Sequence, residues 1–199
     1  MSALVGMPAQ EVVRHIVKKN TSIQRVHFKI VAKSNWSLKN HGVIGGASLC
    51  RNDVLTDGIG CLISSMGEGQ MLTIHSPVSV FQHRERPHIP MLDFKILRSE
   101  ENSKLLAACL AERVAAGSLP KGVLLETERS YHYYGFGLLT EKEWRRFMAE
   151  SLVYTPAGAH LVDCRWVGWR LLYGAAALRL NEKNPGLGVP TVICEIPER

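Results

Sequence analysis

Asp93 stands in the run 89–97 (IPMLDFKIL), a carboxylate in a stretch whose other residues are mostly apolar. An unpaired carboxylate is costly to bury. It must therefore end a strand, pair with a cation such as Lys95, or hold a metal ion. In a strand, side chains two apart share a face, so Asp93 and Lys95 leave on the same side. Asp163 follows Leu161 and Val162 and falls at another expected strand end. Between these acids lies Glu128-Arg129-Ser130-Tyr131-His132. A guanidinium, a hydroxyl and an imidazole within four residues offer several donors to a phosphate chain. If that segment is extended, Ser130 and His132 also share a face. Arg165, Arg170 and Arg179 add positive charge further on. Tyr131, Tyr133, Tyr134 and Phe136 are suited either to stacking on bases or to packing in a core.

The surrounding pattern says what positions these residues. Residues 89–97 read as a buried strand. Ser99 is an N-cap with Glu100 and Glu101 in the first turn, and Leu105, Leu106, Cys109, Leu110 and Val114 recur at helical spacing up to a C-cap at Gly117. Val123–Thr127 reads as the next strand, so 89–127 forms a β-α-β unit. A capping box, Thr140 with Glu143, opens a second helix. A third helix runs from Arg165 to Tyr173 and stops at Gly174, with strands at 177–180 and 191–196. Upstream, residues 8–19 make an amphipathic helix and 25–32 an alternating strand. Turn-rich segments follow at Ser34-Asn35, 39–42, Gly45-Gly46 and 52–60, with short strands at 70–75 and 78–82.

Composition sets outer bounds. A hydrophobic content of 46% and a charged content of 21% are ordinary for a globular chain of 199 residues. No apolar run reaches the roughly 20 residues a membrane-spanning helix needs. The N-terminal residues lack the basic flank and long apolar stretch of a secretory signal. Five scattered cysteines form no C-x-x-C pair, which suits free thiols in a reducing compartment. The expectation is a cytoplasmic protein. Its net charge of +6 is uneven: residues 1–52 hold eight Lys/Arg against Glu11 alone, whereas the remainder is close to neutral. Such a basic segment fits a polyanion such as nucleic acid, or simply a solvated face.

The order of these pieces resembles the archaeo-eukaryotic primase superfamily, which includes primases, primase-polymerases and the polymerase domains of bacterial end-joining ligases. Its hydrophobic-x-Asp-x-Asp motif is matched by Met91-Leu92-Asp93-Phe94-Lys95. Its Ser-x-His motif is matched by Ser130-Tyr131-His132, and its hydrophobic-Asp motif by Val162-Asp163. The resemblance covers roughly residues 88–181. It implies an α+β fold, with an RRM-like antiparallel sheet backed by helices and preceded by a smaller α/β unit. One domain with two lobes is expected, a basic lobe at 1–87 and a nucleotide-binding lobe at 88–199. It further implies that Asp93 and Asp163 hold Mg²⁺ or Mn²⁺, that His132 contacts the phosphates of a nucleotide, and that Asp93, Asp163 and His132 form the catalytic set. Ser130 of the same motif and, by charge rather than by the resemblance, Lys95, Arg129 and Arg165 would join His132 around the phosphates.

Lys95 stands where the family carries a second aspartate. At an effective dielectric of 20, unit charges about 4 Å apart interact by ~4 kcal/mol. Exchanging Asp for Lys therefore removes an attraction for a cation and adds a comparable repulsion. The chain thus resembles a one-aspartate offshoot. Three functions are compatible with it: a nucleotide-binding, metal-dependent nucleotidyltransferase; an inactive module that binds DNA or RNA; and a protein-interaction domain with Asp93 and Lys95 as an internal ion pair.

Overall fold

The computed structural model describes residues 4–32, 42–81, 86–153, 160–182, 186 and 188–197. The expected turns at 34–35 and 39–41, with Lys33 and Lys39, lie outside that set, as does Gln82. Along the chain come α1 (Ala9–Lys19), β1 (Ile23–Ala32), β2 (Val43–Cys50), α2 (Arg51–Leu55), α3 (Gly58–Ser64) and β3 (Gln70–Val80). Then follow β4 (Met91–Asp93), α4 (Glu100–Ala115), β5 (Gly122–Glu126), β6 (Tyr131–Gly135), α5 (Glu141–Val153), α6 (Cys164–Tyr173), β7 (Ala177–Arg179) and β8 (Thr191–Ile196). The strands form two four-stranded sheets, ordered β2-β1-β3-β7 and β4-β6-β5-β8, with antiparallel neighbours throughout. The fold is mixed α+β, with antiparallel sheets backed by helices.

β4, α4 and β5 make the expected β-α-β unit in its split form, because β6 inserts between the two parallel strands. Leu92 and Phe94 meet Leu106, Cys109 and Leu110 of α4 around a cavity of about 10 Å³, which turns Asp93 to the opposite face. The tyrosines of β6 are core residues rather than a stacking platform: Tyr131, Tyr133 and Tyr134 are all fully buried. The Tyr131 hydroxyl accepts from Ser99 N and donates to Ser99 O, and the Tyr133 hydroxyl donates to Pro120 O. At Gly122 a Cβ would fall 2.1 Å from Tyr134 O and 2.7 Å from the Tyr133 ring, so only glycine lets β5 start against β6. The last strand, β8, joins the β5 edge. β7 follows α6 but pairs with β3, giving the N-terminal sheet its fourth strand from residues 177–179.

Four local expectations change. Gly45 and Gly46 are not a turn; they lie within β2, paired with Ile30 and Lys29. Residues 52–60 carry most of α2 and the start of α3, and the Asp53 carboxylate accepts from Cys50 N at the start of α2. The two short strands are one, β3, which runs through Pro77. Its pairing with β1 shifts between Val26 and Phe28, where residues 75–77 leave the ladder. A proline lacks the N–H the ladder needs, and the bulge removes that need. The strand expected over 89–97 keeps register with β6 to Asp93, with one more bond from Phe94 N to Tyr131 O at 3.0 Å. Past it the backbone turns to Leu161–Val162, through a Phe94–Val162 bridge and a Lys95 N to Leu161 O bond of 2.8 Å.

Candidate nucleotide site

Asp93 ends β4 directly opposite His132 of β6, so both side chains stand on the face of their sheet that looks toward β3 and β7. There they line a pocket of about 230 Å³ between the two sheets. Thr127, Glu128, Arg129 and Ser130 enter it from the β5–β6 hairpin, Met71 from β3, Ala177, Leu178 and Arg179 from β7, and Trp166 from α6. The hairpin is pinned by Thr127, whose N donates to Ser130 O at 2.9 Å and whose Oγ1 accepts from Ser130 N at 3.1 Å. That turn puts Ser130 and His132 on one face, as their spacing predicts.

The charges in the pocket follow from burial. His132 is 5% exposed and its pKa is pushed down to about 3, first by desolvation and then by the Arg179 charge. Its Nε2 lies 3.7 Å from Asp93 Oδ1, too far for a hydrogen bond. The contact is therefore a neutral imidazole beside a carboxylate, not an ion pair. His132 Nδ1 is buried without a hydrogen-bond partner, and so is the Tyr134 hydroxyl. Burial lowers the Arg179 pKa, opposed by the nearby Glu128 and Asp93 charges. Beneath the pocket wall, Arg170 is 3% exposed and lies over the Trp166 ring at 5.4 Å. Desolvation brings it down to about 10, with Asp93 acting the other way.

Of the residues expected at the site, Asp93, Arg129, Ser130 and His132 line the pocket, whereas Lys95, Asp163 and Arg165 do not. Lys95 and Arg165 are exposed. Asp163 is adjacent, its N donating to Asp93 O at 3.3 Å, but its carboxylate is the N-cap of α6. Oδ1 accepts from Arg165 N at 2.9 Å and Trp166 N at 3.2 Å. Glu128, Met71 and Trp166 are pocket residues that sequence reasoning missed; Arg179 stood out by charge alone.

Among the described residues no cluster of three or more His, Cys, Asp or Glu side chains could cage a metal ion unaided. Mg²⁺ does not need one, because it commonly binds through one or two carboxylates plus substrate phosphates and water. A pocket that offers Asp93 beside phosphate donors fits an ion arriving with a nucleotide.

A sequence model described as archaeo-eukaryotic primase 1D-like matches residues 55–190, well over half of the chain and every pocket residue. Among solved structures, the crystal structure of primase RepB′ aligns with a TM-score of 0.43 and 12% sequence identity. The alignment covers 95% of this chain and 56% of that one, so this chain spans little more than half the length of that primase. No curated protein matches the sequence.

Proposed function

The chain belongs to the archaeo-eukaryotic primase family, and from that premise we propose that it binds a nucleoside triphosphate with a divalent cation between its two sheets, as a nucleotidyltransferase of primase-polymerase type. The observation that carries this reading is His132. A buried polar atom without a partner costs ~1–3 kcal/mol, and such atoms in native proteins call for an explanation. A phosphate oxygen in the pocket that His132 lines would supply one once the ring turns that nitrogen toward it, because a neutral imidazole donates a single N–H without demanding a counter-charge. Ser130 on the same hairpin and Arg179 on β7 add a hydroxyl and a guanidinium around the same space, with Arg129 at its exposed rim. Asp93 would hold Mg²⁺ or Mn²⁺, and the ion, when bound, would neutralise charge on the phosphates. Asp163 supports Asp93 from behind, through the backbone bond between them and by starting α6, which carries Trp166 to the pocket wall.

Thermal melting with ATP, in Mn²⁺ or in EDTA, tests this. A ligand at about a hundred times its Kd stabilises by ~2.7 kcal/mol, or roughly 2–4 °C per kcal/mol for a chain of this size. The expected result is a shift that needs both nucleotide and metal and is lost in His132→Ala and Asp93→Ala. A shift that survives both substitutions would place the nucleotide elsewhere.

A second reading concerns nucleic acid. β1, β2, β3 and β7 contain no Asp or Glu, while Arg25, Lys29 and Arg179 share one face with the pocket, linked by the pairs Lys29–Thr73 and Thr73–Arg179. Arg25 and Arg86 both depress the pKa of half-buried His27, after desolvation, so that face is positive. Asp53, which feels the Arg25 charge, is already engaged with Cys50 N. This surface suits the backbone of a DNA or RNA strand leading to the pocket.

A further inference from the structure

The missing second aspartate leaves a question of charge that the hairpin answers. Lys95, which holds that place in the sequence, is exposed and lies off the pocket. Glu128 and Arg129 form the tip of the β5–β6 hairpin, where both side chains would ordinarily face solvent. Arg129 does, with 83% of its side chain exposed; Glu128 does not, at 15%. The pinned turn directs Glu128 into the pocket that Asp93 lines from the opposite strand. Turning a carboxylate inward at a hairpin tip is costly unless a positive charge meets it. Arg129 meets it at the rim, with Nε 3.5 Å from Glu128 Oε1, and Arg179 on β7 feels Glu128 and Asp93 together. His132, nearly buried and with Nδ1 unpartnered, lines the same space and independently points to a ligand there.

We infer that Glu128 supplies the second pocket carboxylate in place of the motif aspartate, so that Asp93 and Glu128 together take a divalent cation with the nucleotide's phosphates. The inference rests on the nucleotide-binding reading and deepens it. Two carboxylates plus phosphate oxygens are the donor set Mg²⁺ and Mn²⁺ favour. With no cation present, Arg179 faces both acids and the buried Arg170 also faces Asp93. When cation and nucleotide enter together, the Arg179 guanidinium is released toward the phosphates, to which Arg bonds well. The hairpin thereby carries both halves of the site, with Glu128 for the cation and Ser130 and His132 for the anion.

The test is Mn²⁺ binding in the presence of ATP, followed by the electron paramagnetic resonance signal of free Mn²⁺ and compared with ATP binding in EDTA. Glu128→Gln keeps the shape and removes the charge, and Glu128→Asp restores the charge on a shorter stem. Glu126→Gln is the control, since it breaks the hairpin's ion pair with Arg98 (2.7 Å) away from the pocket. Glu128→Gln is expected to weaken Mn²⁺ binding at least tenfold while ATP binding in EDTA tightens, with partial recovery in Glu128→Asp and no change in Glu126→Gln. Wild-type Mn²⁺ affinity in a folded Glu128→Gln protein would reduce Glu128 to an ion partner of Arg179 and overturn this inference alone. If the wild-type protein bound no ATP with or without Mn²⁺, the nucleotide reading would fall with it.

Discussion

The Asp163 carboxylate accepts two backbone N–H groups at the first turn of α6, which commits one of its oxygens to starting that helix. Removing an N-cap of this kind costs about 1 kcal/mol. Asp163→Ala should therefore lower the unfolding free energy in urea by that amount, whereas Asp163→Asn, which still caps, should not. Mn²⁺–ATP titration of Asp163→Asn then separates cap from cation ligand: binding close to wild type is expected, and a loss as large as that of Asp93→Ala would make Asp163 a ligand. At this scale the sequence is informative where spacing alone decides orientation. Ser130 and His132 are two apart in a strand, and so they share a face. It is silent on Glu128, because only the closed turn decides which of two adjacent hairpin residues faces inward. Nor can it separate a metal-binding Asp163 from a capping one, since a helix start and a cation both favour a carboxylate.

Elements whose ends are marked by local chemistry are legible in the sequence. Ser99 Oγ accepts from Asn102 N at 3.1 Å, and Thr140 and Glu143 exchange the bonds of a capping box. Gly174, at a φ of +66°, ends α6. Of the elements that depart from their sequence pattern, β3 and β4 depend on strands distant in sequence, β7 and β6, and the bulge that accommodates Pro77 is a property of the β1–β3 pair. One contact between elements has no sequence signal. Glu141 Oε2 of α5 accepts from His88 Nε2 at 2.6 Å, so Nδ1 of the neutral ring accepts from Ser76 Oγ of β3 at 2.9 Å. Ser76 Oγ in turn accepts from Ala176 N, also at 2.9 Å. This buried chain ties α5 to the start of β7, the strand that carries Arg179. Desolvation holds the His88 pKa below its ordinary value, outweighing the opposing pull of Glu141. The unfolded chain therefore takes up this proton first, and stability falls as pH drops below about 6.5 toward the folded value. His15, His27 and His132 are lowered as well, so the wild-type slope is a composite. His88→Gln, which cannot titrate, should lose less stability than wild type between about pH 7.5 and 5.5 by urea denaturation. Equal losses would show that His88 protonates alike in both states.

Across the molecule, the N-terminal excess of positive charge divides into internal and external uses. Arg14 bonds Glu11 and Val54 O, and Arg51 bonds Val17 O and Asn20 O at the end of α1, so neither is a free surface charge. Lys19 lies 4.8 Å from the Phe136 ring centroid. Arg25 and Lys29 remain on the acid-free sheet beside the pocket. Each phosphate contact to a single strand contributes a slope of about −0.7 in log K against log salt. Arg25→Gln with Lys29→Gln should therefore flatten the salt dependence of binding to a single-stranded oligonucleotide by roughly one to one and a half. An unchanged slope would assign the strand to another face. The central claim, a cation and nucleotide held between the two sheets, is tested most directly by the anomalous diffraction of Mn²⁺ in crystals grown with ATP. The expected peak lies at ligand distance from Asp93, with the triphosphate reaching Ser130, His132 and Arg179. Bound ATP with the Mn²⁺ peak away from Asp93, or with its phosphates outside this pocket, would contradict it.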